Sequence, residues 1–152
     1  MPAISEATGD DRPWAARLMA ASDPWIRLRR GHEECLAAVQ PQPDTEMFVA
    51  REGGTPVGFV LLRPRGVAGS PYLASIAVDP GARGRGVGSA LLAFVEQRFR
   101  PAHRHLFLCV SSFNDGARRL YERQGFRVVG EFPDYVIDGA SEIVMHKRLD
   151  GS

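Results

Sequence analysis

The sequence predicts an α/β (α+β) fold in one domain, and three observations carry that prediction. An apolar run, Tyr72-Leu73-Ala74-Ser75-Ile76-Ala77-Val78, passes through Asp79-Pro80-Gly81 into a loop of glycines and arginines. Apolar residues then fall at Val87, Leu91, Phe94 and Val95, which is helical spacing. A second strand–helix–strand string follows, with a strand at 105–110, a helix at 114–124 and a strand from 126. Upstream, Glu46 to Arg51 and Pro56 to Arg63 read as a hairpin joined by Glu52-Gly53-Gly54-Thr55.

The remaining elements follow in order. Ile4 marks a short first strand. Trp14, Leu18 and Met19 give a helix over about 11–20. Ser22-Asp23-Pro24 breaks it and opens a second helix over 24–39, since proline suits the first helical turn. Pro41-Gln42-Pro43-Asp44 ends that helix. Residues 64–71, with Pro, Gly and Ser, read as a loop. The helix after the glycine loop runs over about 86–99 and stops before Pro101. Two last strands are expected at 126–137 and 142–149, around the turn Asp138-Gly139-Ala140. With 152 residues and no repeat or linker, the domain is expected to span 1–152.

The loop itself is built for an anion. A helix start exposes backbone N–H groups and the positive end of the helix dipole. Glycines allow close backbone approach and a positive φ. Arg83 and Arg85 add charge, so Arg83-Gly84-Arg85-Gly86-Val87-Gly88-Ser89 reads as a cradle for a phosphate or pyrophosphate. A nucleotide-hydrolase P-loop needs Lys-Ser/Thr after its last glycine, whereas Ser89-Ala90 follow Gly88 and the only lysine is Lys147. A dinucleotide fingerprint fails as well, because its third glycine position falls on Ser89 or Leu91. A glycine-rich turn without ligand is the bland alternative.

The spacing Arg83-x-x-Gly86-x-Gly88 resembles the Arg/Gln-x-x-Gly-x-Gly/Ala acyl-CoA loop of the GNAT N-acetyltransferase superfamily. Residues 114–126 (NDGARRLYERQGF) resemble its other signature, Asn-x-x-Ala-x-x-Leu-Tyr-x-x-x-Gly-Phe. That string also reads physically. Asn114 is a good N-cap, Ala117, Leu120 and Tyr121 share a helical face, and Gly125 can end the helix left-handed. The resemblance implies a mixed, mostly antiparallel sheet that splays between the strands at 72–78 and 105–110, with the acyl chain of CoA in the gap. It implies an acetyl-CoA-dependent N-acetyltransferase, with acetyl-CoA as acyl donor and no metal, acting on a small-molecule amine or a protein N-terminus by direct attack in a ternary complex. The ending from Asp134-Tyr135 to Leu149 resembles those of ribosomal-protein N-terminal alanine acetyltransferases. A transferase of another acyl group and a non-catalytic acyl-CoA sensor are the alternatives.

The same resemblance assigns site residues. The cofactor would meet Arg83, Gly84, Arg85, Gly86, Val87, Gly88 and Ser89 at its pyrophosphate, Ile76, Ala77 and Val78 along the pantetheine arm, and Asn114. Tyr121 matches the tyrosine that lies near the sulfur and acts as general acid. Its phenol is neutral at pH 7 and able to donate. Many members carry a glutamate near the start of the signature strand, and Tyr72 stands there instead. No carboxylate lies between Glu52 and Asp79, which leaves Glu33, Glu34, Asp134 or a water relay as base. Trp25, Tyr72 and Tyr135 are candidates for the substrate wall, built from 25–30, the loop 64–72 and 131–135.

Composition excludes several classes. Apolar content of 44% and charged content of 24% are ordinary for a globular protein. A net charge of +1 gives no basis for bulk attraction to nucleic acid or membrane. Cys35 and Cys109 have neither metal nor disulfide spacing and read as buried thiols in a reducing compartment. His103-x-His105 reads as part of a solvated turn. The polar N-terminus is no signal peptide, and no run nears the ~18 apolar residues of a membrane span, so the expected location is the cytoplasm. A monomer or homodimer is expected.

Overall fold

The computed structural model describes residues 1–150; the last two residues of the domain expected over 1–152 lie outside the described residues. The chain order is β1 (Ala3–Glu6), α1 (Asp11–Ala20), α2 (His32–Ala38), β2 (Glu46–Glu52), β3 (Thr55–Val67), β4 (Ser70–Val78), a 3-10 turn at Pro80–Ala82, α3 (Val87–Phe99), β5 (His105–Ser111), α4 (Asp115–Arg123), β6 (Arg127–Phe132) and β7 (Glu142–Arg148). The strands form one seven-stranded sheet in the order β1-β2-β3-β4-β5-β7-β6. All neighbours are antiparallel except β4 and β5. The sheet splays where it was expected to: β4 and β5 pair only at Tyr72↔Phe107 and Leu73↔Leu108, then part.

Strand alternation builds a core on each face. On one face Phe48, Ala50, Val60 and Leu62 pack with Val87, Leu91 and Val95 of α3 and with Leu106, Leu108, Val110 and Tyr121. On the other, Met47, Val49, Phe59 and Leu61 pack with Ala15, Ala16 and Met19 of α1 and Cys35 of α2. The central strands β2 and β3 are therefore buried on both sides. Beyond the fork the second core does not continue. Cys109 and Ser111 of β5 lie on that side and line a cleft instead.

Three sequence expectations need correction. The helix expected over 24–39 is two pieces. Residues 23–29 form consecutive turns, closed by bonds such as Leu28 N–H to Pro24 O at 2.9 Å, and Arg29 turns left-handed with φ 59°. The chain then restarts as α2 from Gly31. The apolar spacing is the same either way, so periodicity could not show this break. The loop expected over 64–71 is instead the end of a hairpin: β3 runs to Val67 and β4 starts at Ser70. The tip residues Ala68 and Gly69 both have positive φ, as a tight two-residue turn demands. Pro64 falls where the β3–β4 register shifts, so its missing N–H interrupts no ladder. A Cβ at Gly66 would lie 2.6 Å from the Tyr72 Cβ, so this strand pair closes only over glycine. Finally, the strand expected over 126–137 stops at Phe132, ahead of Pro133. The link to β7 is pinned by the Gly139 N–H donating to the Asp134 carboxylate at 2.7 Å.

Candidate active site

A cleft of about 1160 Å³ opens along the fork. One wall is the free edge of β4. Its other edge is hydrogen-bonded to β3 as far as Gly58↔Val78, but from Ala74 onward nothing pairs with it on the β5 side. The backbone of Ser75, Ile76, Ala77 and Val78 can thus take an extended amide chain as an added strand.

That edge leads through the 3-10 turn to the glycine loop. Asp79 caps the turn, accepting from the Gly81 N–H at 2.9 Å. Gly84 and Gly86 have φ of 78° and 81°, which L side chains rarely adopt. Gly86 caps α3 without offering a side-chain acceptor, and the first bond of the helix is Ala90 N–H to Gly86 O at 3.0 Å. The N–H groups of Val87, Gly88 and Ser89 are therefore free to bind an anion. The Val87 side chain itself is core. A Cβ at Gly88 would press on Leu120 of α4 at 3.3 Å, so this glycine also sets how closely α3 and α4 meet.

The arginines behave differently. Arg83 borders the cleft and its Nε donates to Val78 O at 3.2 Å. Arg85, expected at the cofactor, turns to Glu52 at 2.7 Å and does not line the cleft. Arg123, from the last turn of α4, does line it.

The opposite wall comes from β5 and α4. Asn114 caps α4 by accepting from the Ala117 N–H at 3.3 Å and borders the cleft. Tyr121 packs edge-on against Phe126, 6.1 Å between centroids, yet it also lines the cleft. Burial pushes its phenol up to about 12, with no hydrogen bond contributing. Tyr121 is thus a protonated donor at any working pH.

On the other face of β5, Cys109 and Ser111 meet Tyr72 and Glu142. Burial raises the Tyr72 phenol, and the neighbouring Cys109 thiol and the Glu142 charge raise it further. Burial also raises the Cys109 thiol, with Glu142 adding to it and Tyr72 opposing. Cys109, expected buried, is only half-buried, whereas Cys35 is buried as expected; both are free thiols. The Ser111 hydroxyl donates to the Glu142 carboxylate at 2.7 Å.

Trp25 and Tyr72 line the cleft, as does Leu28 from the same run of turns. Tyr135 does not: it is exposed and lies against Phe132 at 5.2 Å, while its neighbour Val136 borders the cleft. Of the proposed bases, Glu34 lines the cleft and Glu33 and Asp134 do not, the latter being held by its own loop. Sequence reasoning missed Glu142, Ser111 and Arg123. Only the β5–β7 register, which sets Ser111 opposite Glu142, reveals that pair. No group of three or more metal-ligand side chains occurs among the described residues.

A forked sheet with a free strand edge leading to a glycine-capped helix defines an acyl-CoA-dependent transferase. The model of the acetyltransferase (GNAT) family matches residues 12–126, and the chain belongs to that family. It is 31% identical over 136 residues to the peptidyl-lysine N-acetyltransferase YiaC of Escherichia coli, covering 83% of this chain and 84% of that protein. It is 32% identical over 136 residues to the N-alpha-acetyltransferase RimI of Mycobacterium tuberculosis, covering 87% and 80%. Among solved structures, an aminoglycoside 6'-N-acetyltransferase complexed with coenzyme A superposes with a TM-score of 0.81 over 99% of this chain and 98% of that one, at 16% identity.

Proposed function

We propose that this protein transfers the acetyl group of acetyl-CoA to a primary amine by direct attack within a ternary complex. The observation that carries the reading is the unpaired edge of β4 over 74–78 running into the free N–H groups at the start of α3, with the Tyr121 phenol across the gap. The pyrophosphate sits on the loop Arg83–Ser89 and the pantetheine amides extend the sheet beside Ile76, Ala77 and Val78. A backbone N–H of that edge then points at the thioester oxygen, where such a donor contributes about 3–4 kcal/mol.

The amine nitrogen attacks the carbonyl carbon and the C–S bond breaks. The leaving thiolate is formed in the same apolar surroundings that raise Tyr121, so its basicity rises too and it can take the phenol's proton. The acceptor lies on the side walled by Trp25, Leu28 and Tyr72. The named relatives act on peptidyl lysine and on N-terminal α-amines, and we read the acceptor here as an amine of that kind or a small-molecule amine. A cytoplasmic setting belongs to the same reading and is supported by the two unpaired thiols.

The test is thiol release from acetyl-CoA against a panel of peptide N-termini, lysine peptides and small amines. Acetylated product from at least one member is expected. Tight acetyl-CoA binding with no thiol release from any amine would favour a binding module over an enzyme.

A further inference from the structure

We propose that Glu142, anchored by Ser111, is the base that takes the proton from the acceptor ammonium. The inference rests on the acetyl-transfer reading above and adds a catalytic residue to it.

The topology separates the two ends of the reaction. Alternation along β5 sends Leu106, Leu108 and Val110 into the α3–α4 core with Tyr121, and Cys109 and Ser111 to the opposite face. Glu142 stands opposite Ser111 in the β5–β7 ladder and shares its face. Tyr121 and Glu142 therefore border one cleft from opposite faces of β5. The acyl arm enters beside Tyr121 and the loop, and the amine comes from the side of Trp25, Leu28 and Tyr72. An acid is placed where the thiolate leaves and a carboxylate where the amine arrives.

The surroundings suit a base. Ser111 is only 3% exposed and its hydroxyl orients the carboxylate without neutralising it. Glu46, Glu52 and Glu96 are held in ion pairs, whereas none of the ion pairs among the described residues includes Glu142. The titratable groups beside it are the Tyr72 phenol of β4 and the Cys109 thiol of β5, and both are shifted toward their neutral forms. Elsewhere around the cleft stand Arg30 and Glu34, and from β6 Glu131 is bonded to the neighbouring Ser141 at 2.6 Å. Glu142 is then the one carboxylate of the cluster it forms with Tyr72, Cys109 and Ser111. It also supplies the carboxylate that β4 lacks, Tyr72 occupying the strand start.

The protons balance. An ammonium loses one proton to Glu142, directly or through one water, and Glu142 releases it to solvent. The nitrogen then attacks, and it loses a second proton as the C–S bond breaks. The thiolate takes one from Tyr121, and the second nitrogen proton restores the phenol. One acetyl-CoA and one ammonium give one amide, one thiol and one proton.

The test is kcat/KM for Glu142→Gln across pH, with acetyl-CoA affinity read by calorimetry. Gln keeps the Ser111 bond and the shape. At pH 7 a loss of about 10²–10⁴-fold is expected, the usual span for a positioned base, with acetyl-CoA affinity unchanged. The loss should shrink as pH rises toward the amine's own pKa, because free amine no longer needs the carboxylate. A merely structural role would give the same loss at every pH and would overturn the assignment, as would near-normal turnover. So would Glu34→Gln reproducing the pH-dependent loss in its place. If Glu142→Gln fails to fold, Ser111→Ala decides: it should show a smaller loss with the same pH trend, and a flat profile refutes the pair. Absence of thiol release by the unaltered protein with every amine would instead sink the acetyl-transfer reading, and the base with it.

Discussion

The two strands that part beyond Leu73 and Leu108 contribute to the cleft in different currencies. From β4 and the loop that follows it, the cleft receives backbone: the unpaired edge of 74–78, then the N–H groups of Val87, Gly88 and Ser89. The apolar side chains there, Ile76, Val78 and Val87, turn into the core. From β5, α4 and β7 it receives side chains: Cys109, Ser111, Asn114, Tyr121 and Glu142. Holding a long, amide-rich, anionic donor suits backbone dipoles in fixed register. Moving protons needs groups with a pKa, which the backbone lacks. On the reading proposed above, binding falls to one side of the fork and chemistry to the other.

That division can be broken by substitution. The largest effect is expected at Tyr121. Tyr121→Phe keeps the ring against Phe126 and removes only the hydroxyl, so turnover should fall by about 10²–10⁴-fold while acetyl-CoA affinity, measured by calorimetry, barely changes. Because the phenol is raised to about 12, it stays protonated below that pH, and it should impose no fall in rate between pH 7 and 10. A variant with near-normal turnover would make Tyr121 a packing residue.

A smaller effect, on binding, is expected on the other side. At Gly86 the φ of 81° makes any β-branched residue strained, by on the order of 1–2 kcal/mol. Gly86→Val should weaken acetyl-CoA by about tenfold or more, since each 1.4 kcal/mol is a factor of ten. Circular dichroism should remain native. A folded Gly86→Val protein with unaltered affinity would show that the loop is not the phosphate cradle.

The smallest effect is expected at Arg85, which is committed to Glu52 in an exposed pair. Arg85→Ala should change the unfolding free energy, from urea titration, by within about 0.5 kcal/mol. Acetyl-CoA affinity should hardly move. A loss as large as that of Gly86→Val would mean that charge, rather than backbone geometry, holds the donor.

What was legible in the sequence follows the same split between backbone and side chains. Backbone features on either side of the fork could be read because local backbone demands leave local marks. A positive φ calls for glycine, and Gly84, Gly86 and Gly125 all adopt one. A helix start calls for a cap, and Asn114 provides it. Element order was readable from the sequence, and the splay was expected only through the family resemblance that the two motifs carry. The break at Arg29 escaped because it rests on a left-handed residue other than glycine, which carries no mark; at the hairpin tip Gly69 is such a mark, but Ala68 beside it is not. The placement of Arg85 against Glu52, across a hairpin, left no local mark, and aromatic character does not tell which way a loop residue such as Tyr135 faces.

By itself, then, the sequence determined most element types, the two helix starts and the glycine loop between β4 and α3, all properties of short stretches whose φ, capping and periodicity depend on near neighbours. Only the tertiary structure decided that β4 and β5 part after two paired residues, that Tyr121 borders the cleft while packed in the core, and that Glu142 faces Ser111. Those facts depend on strand register between segments some thirty residues or more apart in the chain. Register fixes the face of every side chain by a step of one residue, and the face is what assigns each group to one wall of the cleft or the other.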